Sequence, residues 1–205
     1  MYFVKTPGWL KKIYSHYVWH IPTREKQLYL SFDDGPHPVA TLFVLDTLKK
    51  YNAKATFFCI GKNVAAHGDI YRRILFEGHA VGNHTHDHLN GWKTDVAAYL
   101  ENIQKASGYI ESRLYRPPYG RIRKKQGKAL REAGYNIIMW DVLSGDFDAR
   151  ITPKKCLENV VQNSGNGSVI VFHDSEKAFK NVCYALPEML EFFSKKGYTF
   201  EALNP

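Results

Sequence analysis

Residues 28–36 read Leu-Tyr-Leu-Ser-Phe-Asp-Asp-Gly-Pro, a short apolar run followed directly by acidic and turn-forming residues. A run of this length and composition is typical of a buried β-strand, and Gly35 with Pro36 predicts the turn that ends it. The next residues, 38–51, carry apolar side chains at helical spacing. The stretch therefore predicts a strand, a polar turn and a helix, in that order.

The same order repeats along the rest of the chain. Further strands are predicted at 55–60, 79–83, 114–116, 135–141, 168–173 and 198–202. Helices are predicted at 63–77, 94–112 and 122–133, from Thr152 onward, and at 178–196, where Pro187 is poorly tolerated. About seven alternating strands predict a parallel α/β sheet, either open and doubly wound or closed as a barrel. No glycine-rich phosphate loop follows the first strand, and polar residues follow several strand ends, which favours a barrel with one shared site.

The length of 205 residues fits one domain preceded by a short arm. We predict an N-terminal arm over residues 1–25 and one main domain over residues 26–205. Residues 9–20 are basic and aromatic, and we expect a helix packed on the domain, with peripheral contact to a membrane surface as the alternative. No signal-peptide pattern or run of ~18 apolar residues is present, which favours a cytoplasmic or membrane-peripheral location.

Composition excludes several classes of protein. The chain has 28 basic and 20 acidic residues, a net charge of +8. The basic residues are scattered in pairs such as Lys11-Lys12, so we expect a solvated basic surface and no nucleic-acid partner. Three well-separated cysteines predict neither a disulfide framework nor a four-cysteine zinc site. Cys59, inside a predicted strand, is expected to be a buried free thiol.

Residues 84–88, His-Thr-His-Asp-His, form the densest group of metal-ligand residues in the chain. Side chains four positions apart share a face of a helix, and even spacing shares a face of a strand. His84 and His88 can therefore converge on one ion in either conformation, whereas His86 joins them only in a strand. Imidazole nitrogens at this spacing suit zinc or another late first-row divalent metal.

Four residues at other strand ends could complete such a site. One of the adjacent pair Asp33 and Asp34 could bind the metal while the other takes a proton from a bound water, although Asp-Asp-Gly-Pro is also ordinary turn chemistry. Arg116, before a rigid Pro-Pro loop, could orient the free aspartate or be a surface arginine. His173 could protonate a leaving amine or be a histidine at the edge of the core.

With these residues assembled, the chain resembles the polysaccharide deacetylase family, also called the NodB homology domain or carbohydrate esterase family 4. The similarity covers about residues 26–203 and includes five motifs in the family's order. The motifs lie at 31–35, 84–88, 116–119, 140–147 and 171–173. Two positions depart from the family pattern, because Phe147 stands where tryptophan is common and Val171 where leucine is usual.

The resemblance implies a distorted (β/α) barrel of the NodB type and a role for each site residue. Asp34, His84 and His88 would bind a divalent metal, usually zinc, with cobalt, nickel, iron or manganese as other possibilities. Asp33 would be the general base and His173 the general acid. Arg116 would hold Asp33, Asp146 would hold and tune His173, and the backbone N–H of Tyr119 would bind the oxyanion.

The function implied by the resemblance is hydrolysis of a non-peptide carbon–nitrogen bond. The enzyme would remove N-acetyl groups from a poly- or oligosaccharide of N-acetylglucosamine type and release acetate, so its partner would be an N-acetylated glycan. One alternative is a related amide hydrolase acting on a non-carbohydrate amine, which the presence of Asp33 disfavours. A second alternative is a non-catalytic module that binds anionic polymers, which the full set of base, acid and metal ligands disfavours. No feature of the sequence predicts an oligomeric state.

Overall fold

The computed structural model describes residues 2–204, in which strands and helices alternate along the chain. Met1 and Pro205, the outermost residues of the predicted arm and domain, lie outside the described residues. The strands are β1 (Gln27–Asp33), β2 (Thr56–Cys59), β3 (Ala80–Asn83), β4 (Leu114–Tyr115), β5 (Asn136–Ile137), β6 (Val142–Leu143), β7 (Val169–His173) and β8 (Thr199–Glu201). The helices are α1 (Gly8–Ile13), α2 (Ala40–Lys50), α3 (Gly61–Ala66), α4 (Gly68–Phe76), α5 (Val96–Ser107), α6 (Lys124–Glu132), α7 (Pro153–Asn163) and α8 (Glu176–Lys195).

All strand pairs in the sheet are parallel, as the alternation of strands and helices predicts. The strand order is β5-β4-β3-β2-β1-β7-β6, and β8 pairs with β1 outside this path. In this register Asp33, the last residue of β1, lies opposite His173 of β7. The carboxyl ends of the strands therefore meet at one edge of the sheet.

The sheet is strongly curved. The guanidinium of Arg116, just after β4, donates hydrogen bonds both to the carbonyl oxygen of Met139, just after β5, and to Oδ1 of Asp33 in β1. In a flat sheet β5 and β1 would lie about 19 Å apart at the usual strand spacing, too far for one guanidinium to reach both. The seven strands thus form a half-barrel, and the prediction of a distorted (β/α) barrel is confirmed.

The N-terminal segment contacts both ends of this half-barrel. The backbone N–H of Leu143 in β6 donates to the carbonyl of Val4, and the N–H of Val18 donates to the carbonyl of Ile137 in β5. The prediction of a helix over 9–20 is wrong beyond Ile13, because Val18 pairs with the edge of the sheet as extended chain. The segment lies across the gap between β5 and β6.

Two other predicted elements are divided. The predicted helix 63–77 is interrupted at His67, where φ is −130° and ψ is 50°, and forms α3 and α4. The predicted strand 135–141 pairs with β4 only at Asn136–Ile137, because the next two carbonyl oxygens, those of Ile138 and Met139, accept hydrogen bonds from Arg116. The chain then enters β6, which was not predicted.

The main core lies between the sheet and its covering helices. Leu30, Phe32 and Phe172 of the central strands are fully buried. Helix α8 continues through Pro187, which the sequence predicts to be poorly tolerated. Cys59 is buried and free, as expected. Within residues 2–204, none of the helices combines the length and hydrophobicity that a membrane-spanning segment requires.

Candidate active site

Five of the residues singled out at the strand ends line one cleft of about 420 Å³. Strand β1 ends at Asp33, so Asp34 begins the turn that follows, whereas His173 is the last residue of β7. His84 follows β3 directly, and His88 lies four residues further along the same loop. The parallel sheet brings these five side chains together to line the cleft.

Asp34, His84 and His88 form a cluster that could hold a metal ion. Each offers one ligand atom, and the three atoms lie within 4.8 Å of one another. Oδ1 of Asp34 is 3.1 Å from Nε2 of His88 and 3.7 Å from Nε2 of His84. Two imidazole nitrogens and one carboxylate are a donor set that binds zinc and leaves a further coordination position open.

His84 is held in the tautomer that a metal ligand requires. Its Nδ1 lies 2.8 Å from the carbonyl oxygen of Arg116, which can only accept, so Nδ1 donates and Nε2 keeps its lone pair. Burial lowers the pKa of His84 to about 4, which keeps the ring neutral. Nε2 is the atom that faces Asp34.

Asp34 also fits a cation-binding role. Its backbone has φ of 82°, and its carbonyl oxygen accepts a 2.7 Å hydrogen bond from Nδ2 of Asn63. Its Oδ1 is buried and accepts no hydrogen bond from any of residues 2–204. Burial opposes ionisation, but the His88 imidazole beside Oδ1 and the charge of His173 hold the pKa of Asp34 well below its usual range. A buried, ionised oxygen without a hydrogen-bond donor is suited to a metal ion.

His86 lies outside the cluster. Residues 84–88 form neither a helix nor a strand, and φ is positive at Thr85 and His88. The His86 ring instead packs against Tyr109, with ring centroids 5.6 Å apart. Of the two possibilities that the spacing left open, the structure has His86 directed away from the other two histidines.

Asp33 is paired with a fully buried arginine. Nη1 of Arg116 donates to Oδ1 of Asp33 at 2.7 Å and to Oγ of Ser31 at 2.8 Å, while Nη2 donates to the carbonyl of Met139 at 3.0 Å. The guanidinium also lies 4.0 Å from the ring centroid of Phe58. Arg116 is therefore not a surface residue, and it fixes one oxygen of the Asp33 carboxylate.

His173 is held by both oxygens of Asp146. Nδ1 of His173 is 2.8 Å from Oδ1, and its backbone N–H donates to Oδ2 at 2.6 Å. Burial lowers the pKa of His173, but the Asp146 charge and hydrogen bond outweigh it and raise the pKa to about 10. The Phe147 ring packs edge-on against the imidazole, with centroids 5.1 Å apart. Because Asp146 engages Nδ1, Nε2 is the nitrogen available to the cleft.

Tyr119 also lines the cleft. Its φ is 61°, and its exposed ring packs on His88 with centroids 4.6 Å apart. Within the described part of the chain its backbone N–H donates to no acceptor. Four of the five non-glycine residues with positive φ in residues 2–204 lie at this site, namely Asp34, Thr85, His88 and Tyr119. Such backbone strain is typical of functional sites.

Asp174 is a residue of the site to which the sequence analysis assigns no role. The buried Asp174 accepts hydrogen bonds from the backbone N–H of Gly35 at 3.0 Å and from Oγ1 of Thr41 at 2.5 Å. A Cβ atom on Gly35 would lie 2.0 Å from Oδ2 of Asp174. Asp174 therefore fixes the turn that carries Asp34. The available signal was a second acidic residue, directly after His173, at a strand end.

The chain is similar to proteins of known family. Residues 20–138 match the polysaccharide deacetylase family model. A peptidoglycan-N-acetylglucosamine deacetylase of Bacillus cereus is 33% identical over 192 residues, 91% of this chain and 90% of that protein. A chitooligosaccharide deacetylase of Azorhizobium caulinodans is 33% identical over 162 residues, covering 75% of this chain and 76% of the relative.

A similar solved structure supports the same relationship. It is a crystal structure of a peptidoglycan N-acetylglucosamine deacetylase in complex with 4-naphthalen-1-yl-N-oxidanyl-benzamide. It superposes with a TM-score of 0.89 at 33% identity, covering 97% of this chain and 95% of the other. The likeness extends over the half-barrel and most of the N-terminal segment.

Proposed function

The chain belongs to the polysaccharide deacetylase family, and on that premise we propose that it is a metal-dependent N-deacetylase of a poly- or oligosaccharide of N-acetylglucosamine type. One observation carries the proposal. Asp33, which Arg116 holds, and His173, which Asp146 holds, line the same cleft as the cluster of Asp34, His84 and His88. A base, an acid and a set of metal ligands are the groups that hydrolysis of an unactivated amide needs.

The metal site is assigned to the cluster of one carboxylate and two imidazoles. Asp34, His84 and His88 would hold a divalent ion, zinc in the first place, because neutral imidazole and carboxylate ligands suit it. When bound, the ion would polarise the acetamide carbonyl and make water more acidic. Asp174 supports this assignment by holding Gly35, next to Asp34.

The two acid–base residues divide the proton transfers between them. Arg116 engages Oδ1 of Asp33, so Oδ2 is left to accept a proton as water attacks the carbonyl carbon. The Tyr119 N–H would donate to the developing oxyanion, a contact of a kind that contributes about 3–4 kcal/mol. His173, protonated because of Asp146, then gives its Nε2 proton to the departing sugar amine. The carbon–nitrogen bond breaks, and acetate and the free amine are the products.

The proposed substrate is an N-acetylated glycan. Relatives that match most of the chain are named deacetylases of peptidoglycan N-acetylglucosamine and of chitooligosaccharide. Both names imply removal of an N-acetyl group from a sugar. We therefore base the proposed substrate on this group.

The experiment is an acetate-release assay on N-acetylated glycans with metal-stripped protein, with and without added zinc or cobalt. We expect acetate and free amine in equal amounts after metal is restored, and little release from the stripped protein. No acetate from any N-acetylated glycan under these conditions, while acylated non-sugar amines are hydrolysed, would overturn the substrate assignment. Equal rates in stripped and restored protein would overturn the metal dependence.

A further inference from the structure

Two positively charged side chains without acidic partners line the cleft on either side of the proposed catalytic groups. We propose that Arg121 and Lys177 recognise carboxylates on the sugar units that flank the N-acetylated sugar, so that the preferred substrate is an acidic glycan and not a neutral one. The inference depends on the proposed function and refines its substrate class.

Arg121 lies in the loop after β4 and lines the cleft. Its guanidinium carbon lies 5.1 Å from the ring centroid of Trp92, which holds the side chain in place by a cation–π contact. Within residues 2–204 no carboxylate forms an ion pair with it. The planar guanidinium is therefore free to bind a carboxylate of the substrate by two hydrogen bonds.

Lys177, in the first turn of α8, lines the cleft from the other side. Its Nζ lies 5.8 Å from the ring centroid of Phe147. As with Arg121, no ion pair to an acidic residue occurs in the described part of the chain. Phe147, the position that departs from the family pattern, thus packs against both Lys177 and the proposed acid His173.

The sheet topology separates the two cations. Arg121 comes from the loop after β4 and Lys177 from the helix after β7, and β3, β2 and β1 lie between these strands. The acidic residues lining the cleft are Asp33, which pairs with Arg116, and Asp34, which lies against the two histidines. Each side of the cleft therefore presents a positive charge that the protein does not neutralise.

This charge arrangement favours one kind of glycan. An N-acetylated sugar is neutral, so the proposed reaction at its acetamide does not require two cations beside it. Carboxylates on the preceding and following units would place a negative charge near each cation. A glycan in which N-acetylglucosamine alternates with a carboxylate-bearing sugar has this pattern, and a homopolymer of N-acetylglucosamine does not.

The space beyond Arg121 can accommodate such a neighbouring unit. A second cavity, of about 440 Å³, shares Arg121, Tyr119 and Trp140 with the cleft and extends toward the N-terminal segment. It is lined mainly by aromatic and aliphatic side chains, among them Trp92 and Tyr17. Aromatic faces beside one cation suit a sugar ring that carries a carboxylate.

The test compares three substrates with the metal-loaded full chain. The first is a glycan strand of alternating N-acetylglucosamine and N-acetylmuramic acid, the second is the same strand with its carboxyls converted to methyl amides, and the third is the hexamer of N-acetylglucosamine. The variants are Arg121→Gln, Lys177→Met and the double variant, and the readout is kcat/KM for acetate release. Arg72→Gln and Lys180→Met are matched controls, because both residues are exposed cations that do not line the cleft.

We expect the wild-type protein to prefer the acidic strand over its amidated form. The ratio of the two kcat/KM values should fall about fivefold in each single variant and about 20-fold in the double variant, mainly through KM. The preference should also weaken with added salt, and the control variants should keep it.

The outcomes separate this inference from the proposed function. If wild type deacetylates the acidic and amidated strands equally, or the variants lose activity on both to the same extent, carboxylate recognition is overturned while the deacetylase function stands. If wild type releases no acetate from any of the three substrates, the proposed function fails, and the inference with it.

Discussion

Asp33 and His173 occupy paired positions on adjacent strands but have different partners. Asp33 is bonded to Arg116 and His173 to Asp146, and neither belongs to the cluster of ligand atoms around Asp34. We therefore expect Asp33→Asn and His173→Ala each to lower kcat by about 100-fold or more while the bound metal stays at the wild-type amount. Metal content and kcat measured on the same preparations test this. Near-normal turnover in Asp33→Asn would contradict the assigned base.

Asp146 is expected to set the pH range of the enzyme through His173. The pair raises the pKa of His173 from 6.5 to about 10, so the proposed acid stays protonated across neutral pH. The interaction of protonated His173 with Asp146 stabilises the folded protein fully below pH 6.5, and this stabilisation is lost as the pH rises through about 10. In Asp146→Asn we expect the alkaline limb of kcat/KM to move to lower pH, because without the Asp146 charge the pKa of His173 falls. Asp148→Asn removes a nearby carboxylate that bonds Tyr2 and Arg150, and it should leave the limb in place.

His86 and His88 provide a matched pair for testing the metal site, because they lie two residues apart in one loop. Nε2 of His88 faces Asp34, whereas the ring of His86 packs on Tyr109. We expect His88→Ala to lose metal binding and His86→Gln to keep about one ion per chain, as measured by elemental analysis of dialysed, folded protein. Loss of metal from both variants, with both still folded, would argue against the assigned ligands.

At the residue scale the sequence predicts which side chains meet, but not how adjacent ones divide their roles. The order of the strands places Asp33, His84, Arg116 and His173 at one edge of the sheet. Choosing between Asp33 and Asp34 depends on the turn conformation at Asp34, with φ of 82°, and on a contact to Arg116 from a strand three positions away. Neither is visible in local periodicity, because both are determined by the tertiary structure.

At the element scale, the N-terminal segment can be tested with two tryptophans. Trp19 is 6% exposed, and its Nε1–H donates a hydrogen bond to the carbonyl oxygen of Tyr14. Trp9, in contrast, is 58% exposed. Trp19→Ala should lower the free energy of unfolding by about 3–5 kcal/mol, and Trp9→Ala should change it by less than about 0.5 kcal/mol. Urea unfolding of both variants measures this. Equal effects would show that the segment is not held as the structure describes.

The elements that sequence reasoning misjudged depend on contacts with distant residues. Helix α8 continues through Pro187, although proline costs about 3 kcal/mol inside a helix, because one face of α8 buries Leu186, Met189 and Leu190 in the core. Strand β5 ends early because Arg116 donates hydrogen bonds to the carbonyl oxygens of the next two residues, Ile138 and Met139. Long strands such as β1 and β7, in which most residues are buried, were predicted correctly because their own apolar composition determines them.

At the scale of the whole molecule, the proposed metal joins loops that follow β1 and β3, two strands separated by β2. The unfolded chain does not keep these ligands together, so the metal should bind mainly to the native state and stabilise it. At a free zinc concentration about 100 times the dissociation constant, the gain is about 2.7 kcal/mol. In a domain of this size that corresponds to a rise in Tm of about 5–10 °C. Thermal unfolding of stripped and zinc-loaded protein measures the shift, and His88→Ala should remove most of it. A shift of the same size in His88→Ala would mean that zinc stabilises the fold from another site.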